Sequence, residues 1–194
     1  MSIWAHLVQN LKKVSEFINK VVKSGKKWSI FVYIYHFYRV NMLSLIGTYE
    51  CKIDAKGRLM LPSVLKKQLL PVMENGFVLK RSVFSRCLEI HPYTEWNTLM
   101  TEVNKLNRFV KKNNDFIRLF TAGVKMIEVD SNFRLQISKD LISYASLSKN
   151  IVLSCSLNMV EIWDKEQYEK VLNDATADFA DLAEEVMGNT TKEE

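Results

Sequence analysis

The sequence predicts an α+β fold made of two fused copies of a β-rich unit. The pattern Asp-x-x-x-Arg occurs at residues 54–58 and again at 130–134, so the copies begin 76 residues apart. After each pattern, strand-like and helical segments follow in the same order. A repeated order of elements indicates internal pseudo-symmetry, and two copies are too few for a solenoid. We therefore expect the two halves to pack into one unit.

The first copy begins with a predicted hairpin. Alternating polar and apolar residues over 49–53 indicate a strand, and residues 58–61 indicate the return strand. Between them, Asp54 favours bonds from its side chain to nearby backbone groups, and Gly57 accepts a positive φ. Pro62 then opens a short helix, because proline suits the first turn of a helix.

The rest of the first copy is predicted to contain two more strands and a helix. Residues 77–81 and 87–91 have the composition of a strand pair, and apolar residues at helical spacing follow from about Tyr93. The polar and basic residues 107–115 indicate the linker between the two halves.

The second copy repeats these elements. Residues 124–129 and 135–137 predict the strands of its hairpin, and Ser138 is suited to cap the helix that follows. Near the C-terminus, Asp164 resembles the first residue of a capping box. A long C-terminal helix is predicted from there, and Gly188 is suited to end it.

This pattern divides the chain into four segments. They are an N-terminal extension at residues 1–41, a first repeat with its linker at 47–115, a second repeat with the C-terminal helix at 116–188, and a disordered tail at 189–194. We interpret the extension as disordered or as the product of an upstream start codon. Its aromatic run at 28–38 is shorter than the roughly 20 apolar residues that span a bilayer. No membrane partner is expected, and a membrane-surface anchor is the alternative for this segment.

Charge is unevenly distributed along the chain. Residues 1–41 carry seven Lys and Arg against one Glu, and residues 42–160 carry 17 Lys and Arg against 10 Asp and Glu. Residues 161–194 carry three Lys against 11 Asp and Glu. A basic β-rich region suits a polyanion, because charge neutralisation supplies much of the affinity. A solvated basic surface is the alternative interpretation.

The sequence contains no pattern that favours catalysis or a cofactor. Cys51, Cys87 and Cys155 are far apart and have no histidine at metal-ligand spacing, so core thiols in a reducing cytosol are predicted. His91 is the one histidine of the repeated region and lies at a predicted strand end. A Gly-rich phosphate loop and a nucleophile elbow are both missing from the sequence. We therefore predict a protein that is not an enzyme and needs no metal or cofactor.

The two Asp-x-x-x-Arg patterns are the candidate functional sites. A single copy is explained by an Asp that pairs with an Arg across a turn. Two copies that present cations on tight hairpins favour binding to phosphate or guanine edges, which the planar Arg side chain contacts at two points. The candidate DNA-binding residues are Lys52, Asp54, Lys56, Gly57, Arg58, Lys66, Lys67, Asp130 and Arg134.

The first copy is predicted to carry more of the DNA contact, because five of these cations lie near it in the sequence. The second copy has Asn132 and Phe133 where the first has Lys56 and Gly57. A phenylalanine at a position that favours positive φ is strained, so we expect the second turn to differ from the first.

Four motifs carry a resemblance to a known family. They are Asp54-Ala-Lys-Gly-Arg58 followed by Leu-x-Leu-Pro-Ser-x-Leu-Lys, Phe116-Ile-Arg-Leu-Phe-x-Ala-Gly123, Asp130-x-x-x-Arg134 and Val160-Glu-Ile-Trp163. Their combination and order are specific, and from about Met42 to Val186 the chain resembles the MraZ family of bacterial transcriptional regulators. In this resemblance Lys56 and Arg58 match the first family motif and Arg134 the second, whereas Phe133 stands where the family usually has Gly.

The resemblance implies a fold and a function. It implies two fused SpoVT-AbrB-like repeats in a pseudo-symmetric barrel-like unit, with flanking helices and the long C-terminal helix. It also implies ring-like homo-oligomers that bind short direct repeats in double-stranded DNA, upstream of the division and cell-wall gene cluster. Such proteins repress that cluster, including their own gene, so a location in the cytoplasm at the nucleoid is expected.

A protein-interaction module without operator binding is the alternative function. AbrB-like units also occur in antitoxins, where a C-terminal segment binds a toxin. The second repeat argues against this alternative, because it occupies the C-terminal region.

Overall fold

The computed structural model describes residues 43–176 and 179–188, and a compact unit begins at Ser44. The predictions for residues 1–41 and 189–194 lie outside the described residues. Among the helices of the described ranges, none combines the length and apolar character needed to cross a membrane.

The described residues form eight strands, six α-helices and one 3-10 helix. The strands are β1 (Thr48–Lys52), β2 (Arg58–Met60), β3 (Phe77–Arg81), β4 (Leu88–Pro92), β5 (Lys125–Ile127), β6 (Arg134–Gln136), β7 (Asn150–Ser156) and β8 (Met159–Asp164). The helices are α1 (Ser63–Leu69), the 3-10 helix Leu70–Asn75, α2 (Tyr93–Val103), α3 (Lys111–Phe120), α4 (Lys139–Tyr144), α5 (Lys165–Thr176) and α6 (Phe179–Gly188). The α+β class is confirmed, and the predicted strands and helices occur in the predicted order with one additional helix, α3, between the halves.

The strands form a six-stranded antiparallel sheet and a two-stranded ribbon. The order in the sheet is β1-β7-β8-β4-β3-β5, and the ribbon pairs β2 with β6. If each strand is exchanged for its counterpart in the other copy, the same strand order results, read from the opposite edge of the sheet. The halves are also interleaved, because β1 pairs with β7 of the second copy and β5 pairs with β3 of the first.

The six-stranded sheet is open in the described residues. Its end strands β1 and β5 each pair with one neighbour, and no strand pairing joins these two edges across 43–176 and 179–188. The barrel-like arrangement that we expected is therefore not confirmed, and the described residues contain no closed barrel. Closure would need backbone hydrogen bonds between β1 and β5, whereas the strands that follow them in the chain, β2 and β6, pair with each other instead.

The core lies beneath the strands and the short helices. Leu59 and Leu135 are 0% and 1% exposed, so the ribbon is anchored by one leucine from each strand. Strand side chains alternate between faces, and the neighbours of each leucine therefore point away from the core. Helix α1 buries Leu65 and Leu69, and Leu61 is buried just before the helix begins.

Three local predictions can be compared with the structure. Helix α3 begins at Lys111, so only the first part of the polar segment 107–115 is irregular. Ser138 makes no capping bond, and its hydroxyl accepts a bond from Lys125. Asp164 caps α5 as predicted, since its Oδ1 accepts bonds from the backbone N–H of Glu166 and Gln167.

A polar cluster is buried within the sheet of the first copy. Lys80 Nζ lies 2.8 Å from Glu89 Oε2, and His91 Nε2 lies 3.0 Å from the same oxygen. Burial raises the pKa of Glu89, but hydrogen bonds from His91, Lys80 and Ser82 outweigh it and hold the pKa at about 2. Glu89 is therefore a buried carboxylate whose charge depends on its partners.

Candidate nucleic-acid interface

The first hairpin turn is built by the side chain of Asp54. Its Oδ1 accepts bonds of 2.9 Å from the backbone N–H of both Lys56 and Arg58. Its Oδ2 lies 2.7 Å from Arg58 Nε and 2.6 Å from the terminal Nη2. Gly57 completes the turn with a φ of 80°. The carboxylate thus holds both the loop backbone and the guanidinium in one arrangement.

The second turn has the same geometry. Asp130 Oδ1 accepts bonds of 2.8 and 2.9 Å from the backbone N–H of Asn132 and Arg134. Its Oδ2 lies 2.9 Å from Arg134 Nε and from Nη2. Phe133 occupies the position of the glycine and has a φ of 58°. The prediction that this turn differs is therefore wrong, because these four contacts to the Asp130 carboxylate hold Phe133 in the left-handed conformation.

The same bonds set the charge of the two aspartates. The pKa of Asp54 is lowered to about 2, mainly by the backbone N–H of Arg58 and then by its side chain. The pKa of Asp130 is lowered as well, first by the backbone N–H of Arg134. Both carboxylates are therefore ionised at neutral pH. Arg58 and Arg134 remain 34% and 30% exposed at their side chains, so each guanidinium is held in place and reaches solvent.

The two turns are joined through the short ribbon. Leu61 donates its N–H to the carbonyl of Phe133 at 3.0 Å, and Ile137 donates its N–H to the carbonyl of Gly57 at 2.8 Å. Each turn is thus bonded to the residue that follows the other copy's strand. Because the strands are three residues long, the turns lie at opposite ends of a ribbon about 7 Å long.

The structure brings one of the predicted lysines, Lys66, to the second turn. Lys66 Nζ lies 3.0 Å from the ring centre of Phe133, in a cation–π contact. Lys52 and Lys66 line one cleft of about 900 Å³ together with Asn132 and Phe133. The sequence places both lysines near the first copy, and because the halves are interleaved Lys66 also lies at the second turn. Lys67 is exposed on α1, and no contact within the described ranges joins it to either turn.

Two further residues belong to this surface and were missed by sequence reasoning. Met60 and Gln136 stand at matching positions at the ends of β2 and β6, and both are exposed. The Nε2 of Gln136 donates a 2.7 Å bond to the carbonyl of Lys56. The signal in the sequence is strand alternation, since each residue follows a buried leucine and must point outward with its neighbouring arginine.

The described residues contain no cluster of three or more His, Cys, Asp and Glu side chains that could hold a metal ion. The carboxylates of the two turns are each committed to an arginine on the same hairpin. Chemically, the surface presents two fixed guanidinium groups and nearby lysines, which suits hydrogen bonding to phosphates and base edges.

Comparisons with known proteins give a consistent result. The chain matches the family model described as "MraZ protein, putative antitoxin-like" over residues 44–119 and again over 120–190. It is 67% identical over 148 residues to the transcriptional regulator MraZ of Christiangramia forsetii, covering 76% of this chain and 96% of that protein. The corresponding proteins of Flavobacterium psychrophilum and Cytophaga hutchinsonii are 61% and 38% identical over 153 and 147 residues, covering 79% and 76% of this chain. These alignments include 98% and 97% of the two relatives.

Proposed function

The chain belongs to the MraZ family, and on that premise we propose that it is a sequence-specific DNA-binding repressor. Its target is double-stranded DNA with short direct repeats upstream of the division and cell-wall gene cluster, including its own gene. The cation-bearing hairpins make the contact, and the protein acts at the nucleoid. The relatives' name of transcriptional regulator is consistent with a protein that is not an enzyme.

The observation that carries the proposal is the pair of matching Asp–Arg turns at the ends of one ribbon. An arginine fixed by a carboxylate loses little conformational freedom when it binds, so it is preorganised for two-point contact. Lys56, Lys52 and Lys66 add positive charge around the two arginines. Lys67 adds charge on the exposed side of α1. Both hairpins therefore take part, although the sequence favoured the first.

A ring-like homo-oligomer multiplies this modest surface. Val171, Phe179, Leu182 and Val186 are 45–63% exposed on α5 and α6, and a subunit contact would cover them. Residues 161–194 are acidic and residues 42–160 are basic, so the C-terminal face of one subunit complements the basic region of the next. Several weak contacts on one assembly then bind a run of DNA repeats tightly through effective concentration.

A fusion of two similar repeats explains the internal symmetry. Two SpoVT-AbrB-like repeats fused in one chain account for a sheet order that is unchanged when the copies are exchanged. We propose repeat boundaries at 47–115 and 116–188, so that each repeat contributes one turn to the shared ribbon.

DNA binding by purified wild-type protein and by arginine variants tests the proposal. Fluorescence anisotropy with the upstream DNA is expected to show salt-sensitive binding by the wild type. Arg58→Ala and Arg134→Ala are each expected to weaken binding by about tenfold or more, since a two-point arginine contact contributes about 1–3 kcal/mol. Arg108→Ala is the matched control, because Arg108 is exposed, is bonded to Asn104 and belongs to neither hairpin.

Two results would contradict the proposal. The first is a folded wild-type oligomer that binds neither upstream nor unrelated DNA at low salt, which would favour the protein-interaction module. The second is equal affinity for the upstream DNA in the Arg58, Arg134 and Arg108 variants, which would show that the DNA-binding surface lies outside the hairpins. Circular dichroism of each variant confirms that a loss of binding is not a loss of fold.

A further inference from the structure

The outward face of the ribbon carries four side chains in two cross-strand pairs. Arg58 stands opposite Gln136, and Met60 stands opposite Arg134. Their neighbours Leu59 and Leu135 are buried, so the four side chains share the face that points away from the core. The turns described above bracket this face at both ends.

The dimensions of this face suit the major groove. Three residues per strand span about 7 Å, and the two strands lie about 5 Å apart. The major groove is about 12 Å wide and admits a two-stranded ribbon. A length of about 7 Å corresponds to two or three base pairs, because phosphates of one strand are about 3.4 Å apart along the axis.

Met60 and Gln136 occupy the same position in the two copies but differ in chemistry. Met60 is 62% exposed and offers only apolar surface. Gln136 donates bonds from its Nε2 to the carbonyls of Lys56 and Ile137, at 2.7 and 3.1 Å. Across residues 43–176 and 179–188, no donor bonds to its Oε1. Gln136 therefore presents an acceptor, and Met60 presents a methyl and a thioether.

We propose that Met60 and Gln136 are specificity-determining residues of the ribbon, which rests on the DNA-binding function proposed above. Met60 contacts the C5 methyl group of a thymine, and Gln136 Oε1 accepts a bond from the exocyclic amino group of a cytosine or an adenine. The arginines beside them supply the affinity, and these two residues decide which bases are accepted.

The difference between the two residues also orients the subunit on DNA. The ribbon relates its copies by a pseudo-twofold axis, so identical residues at positions 60 and 136 would favour a palindromic element. Methionine at one position and glutamine at the other make the two ends of the element different. Each subunit then binds with a defined direction, and successive subunits favour repeats that run the same way.

A structural role for Gln136 predicts a different result. Its bond to the carbonyl of Lys56 supports the first turn, and loss of that support alone would weaken binding to all sequences equally. A specificity role instead changes the response to a single base group. The measurement must therefore couple a protein substitution to removal of one chemical group from the DNA.

The experiment uses full-length protein and a bound DNA repeat with single-group substitutions. Each thymine is replaced in turn by deoxyuridine, which removes only the methyl, and each adenine and cytosine by an analogue that lacks the exocyclic amino group. With the wild type, one deoxyuridine is expected to weaken binding about threefold to fivefold, and one amino deletion about tenfold. Met60→Gln removes the first effect and keeps the second, whereas Gln136→Met does the reverse.

Met126→Gln is the matched control, because Met126 is also 62% exposed but lies on β5 outside the ribbon. It should respond to both DNA changes as the wild type does. One outcome would overturn this inference and leave the DNA-binding function intact. In it the wild type binds specifically, and Met60→Gln and Gln136→Met respond to each base change as the wild type does. A wild type that binds no DNA specifically would overturn both.

Discussion

The two hairpin turns have the same shape although their fourth residues differ greatly. Gly57 and Phe133 have φ values of 80° and 58°, and the bonds made by Asp54 and Asp130 agree atom for atom. A glycine adopts this conformation at little cost, whereas a phenylalanine has to be held in it. The comparison shows that the aspartate and the backbone N–H groups it binds determine the turn, and the fourth residue follows.

The surroundings of each turn are adapted to its fourth residue. A Cβ at position 57 would lie 2.6 Å from the carbonyl oxygen of Ile137 and 3.1 Å from Ile142 Cδ1, so only glycine fits there. At the second turn, Lys66 covers the ring of Phe133. Lys66 and Ile142 are themselves matching positions of the two copies. The two turns therefore have the same backbone conformation but different neighbours at the fourth position, Ile142 beside Gly57 and Lys66 beside Phe133.

The sheet shows a similar contrast between the two halves. Lys80 faces Glu89 in the first copy, and Ser154 faces Glu161 at the matching register in the second. Glu161 accepts a 2.9 Å bond from the indole N–H of Trp163 instead of pairing with a lysine. The glutamate of the first half is thus paired with a buried lysine, whereas the glutamate of the second half is bonded to a neutral indole N–H.

The largest expected effect comes from removing the charge of Lys80. Lys80→Met keeps most of the side-chain volume but leaves Glu89 as a buried carboxylate without its cation. We expect a loss of about 3–5 kcal/mol in the free energy of unfolding, measured by urea denaturation at fixed protein concentration. Ser154→Ala, at the matching position, should cost about 1 kcal/mol or less.

A double variant separates charge from packing at this cluster. Adding Glu89→Gln to Lys80→Met removes the unpaired carboxylate, so part of the lost stability is expected to return. Lys80 Nζ also lies 4.8 Å from the ring centre of Phe120. If the double variant recovers no stability, the unpaired charge of Glu89 is not the cause of the loss.

An intermediate effect is expected at the fourth position of the turns. Gly57→Ala places a Cβ against a carbonyl at positive φ, and we expect a loss of about 1–3 kcal/mol in unfolding free energy. Phe133→Gly relieves about 1–2 kcal/mol of backbone strain and removes a cation–π contact of about 0.5–1 kcal/mol, so the variant should be about 0–1.5 kcal/mol more stable than the wild type. Thermal unfolding of both variants checks the contrast, and equal losses would contradict it.

The smallest effect concerns the titration of the turn carboxylates. Because the pKa of Asp54 is about 2 in the folded protein, its bonds stabilise the turn above the ordinary Asp pKa and weaken as pH falls towards 2. Side-chain NMR titration should show Asp54 and Asp130 both below the usual range. In Arg58→Ala, the pKa of Asp54 should rise part of the way, since the backbone N–H remains, and that of Asp130 should not change. An unshifted Asp54 in the wild type would contradict the bonding described here.

Individual strands, helix starts and turns of this structure could be predicted from short stretches of sequence. Residues 77–81 form the predicted strand, and helices begin at Tyr93 and Lys165 as the apolar spacing indicated. The two turns were located by the Asp-x-x-x-Arg pattern. The shape of the second turn was not predicted, because the preference of Phe133 was weighed without the bonds that override it.

The sequence alone determined the duplicated order of elements, the position of each turn and the charge that each turn carries. These features depend on bonds within about five residues and on the alternation of polar and apolar side chains, and both can be recognised in a short stretch of sequence. Tertiary structure decided which half supplies each neighbour: β1 joins β7, β5 joins β3, and Lys66 reaches Phe133. Two copies with the same pattern offer equivalent partners, so the pairing is selected only when the whole sheet and its core are assembled and buried together.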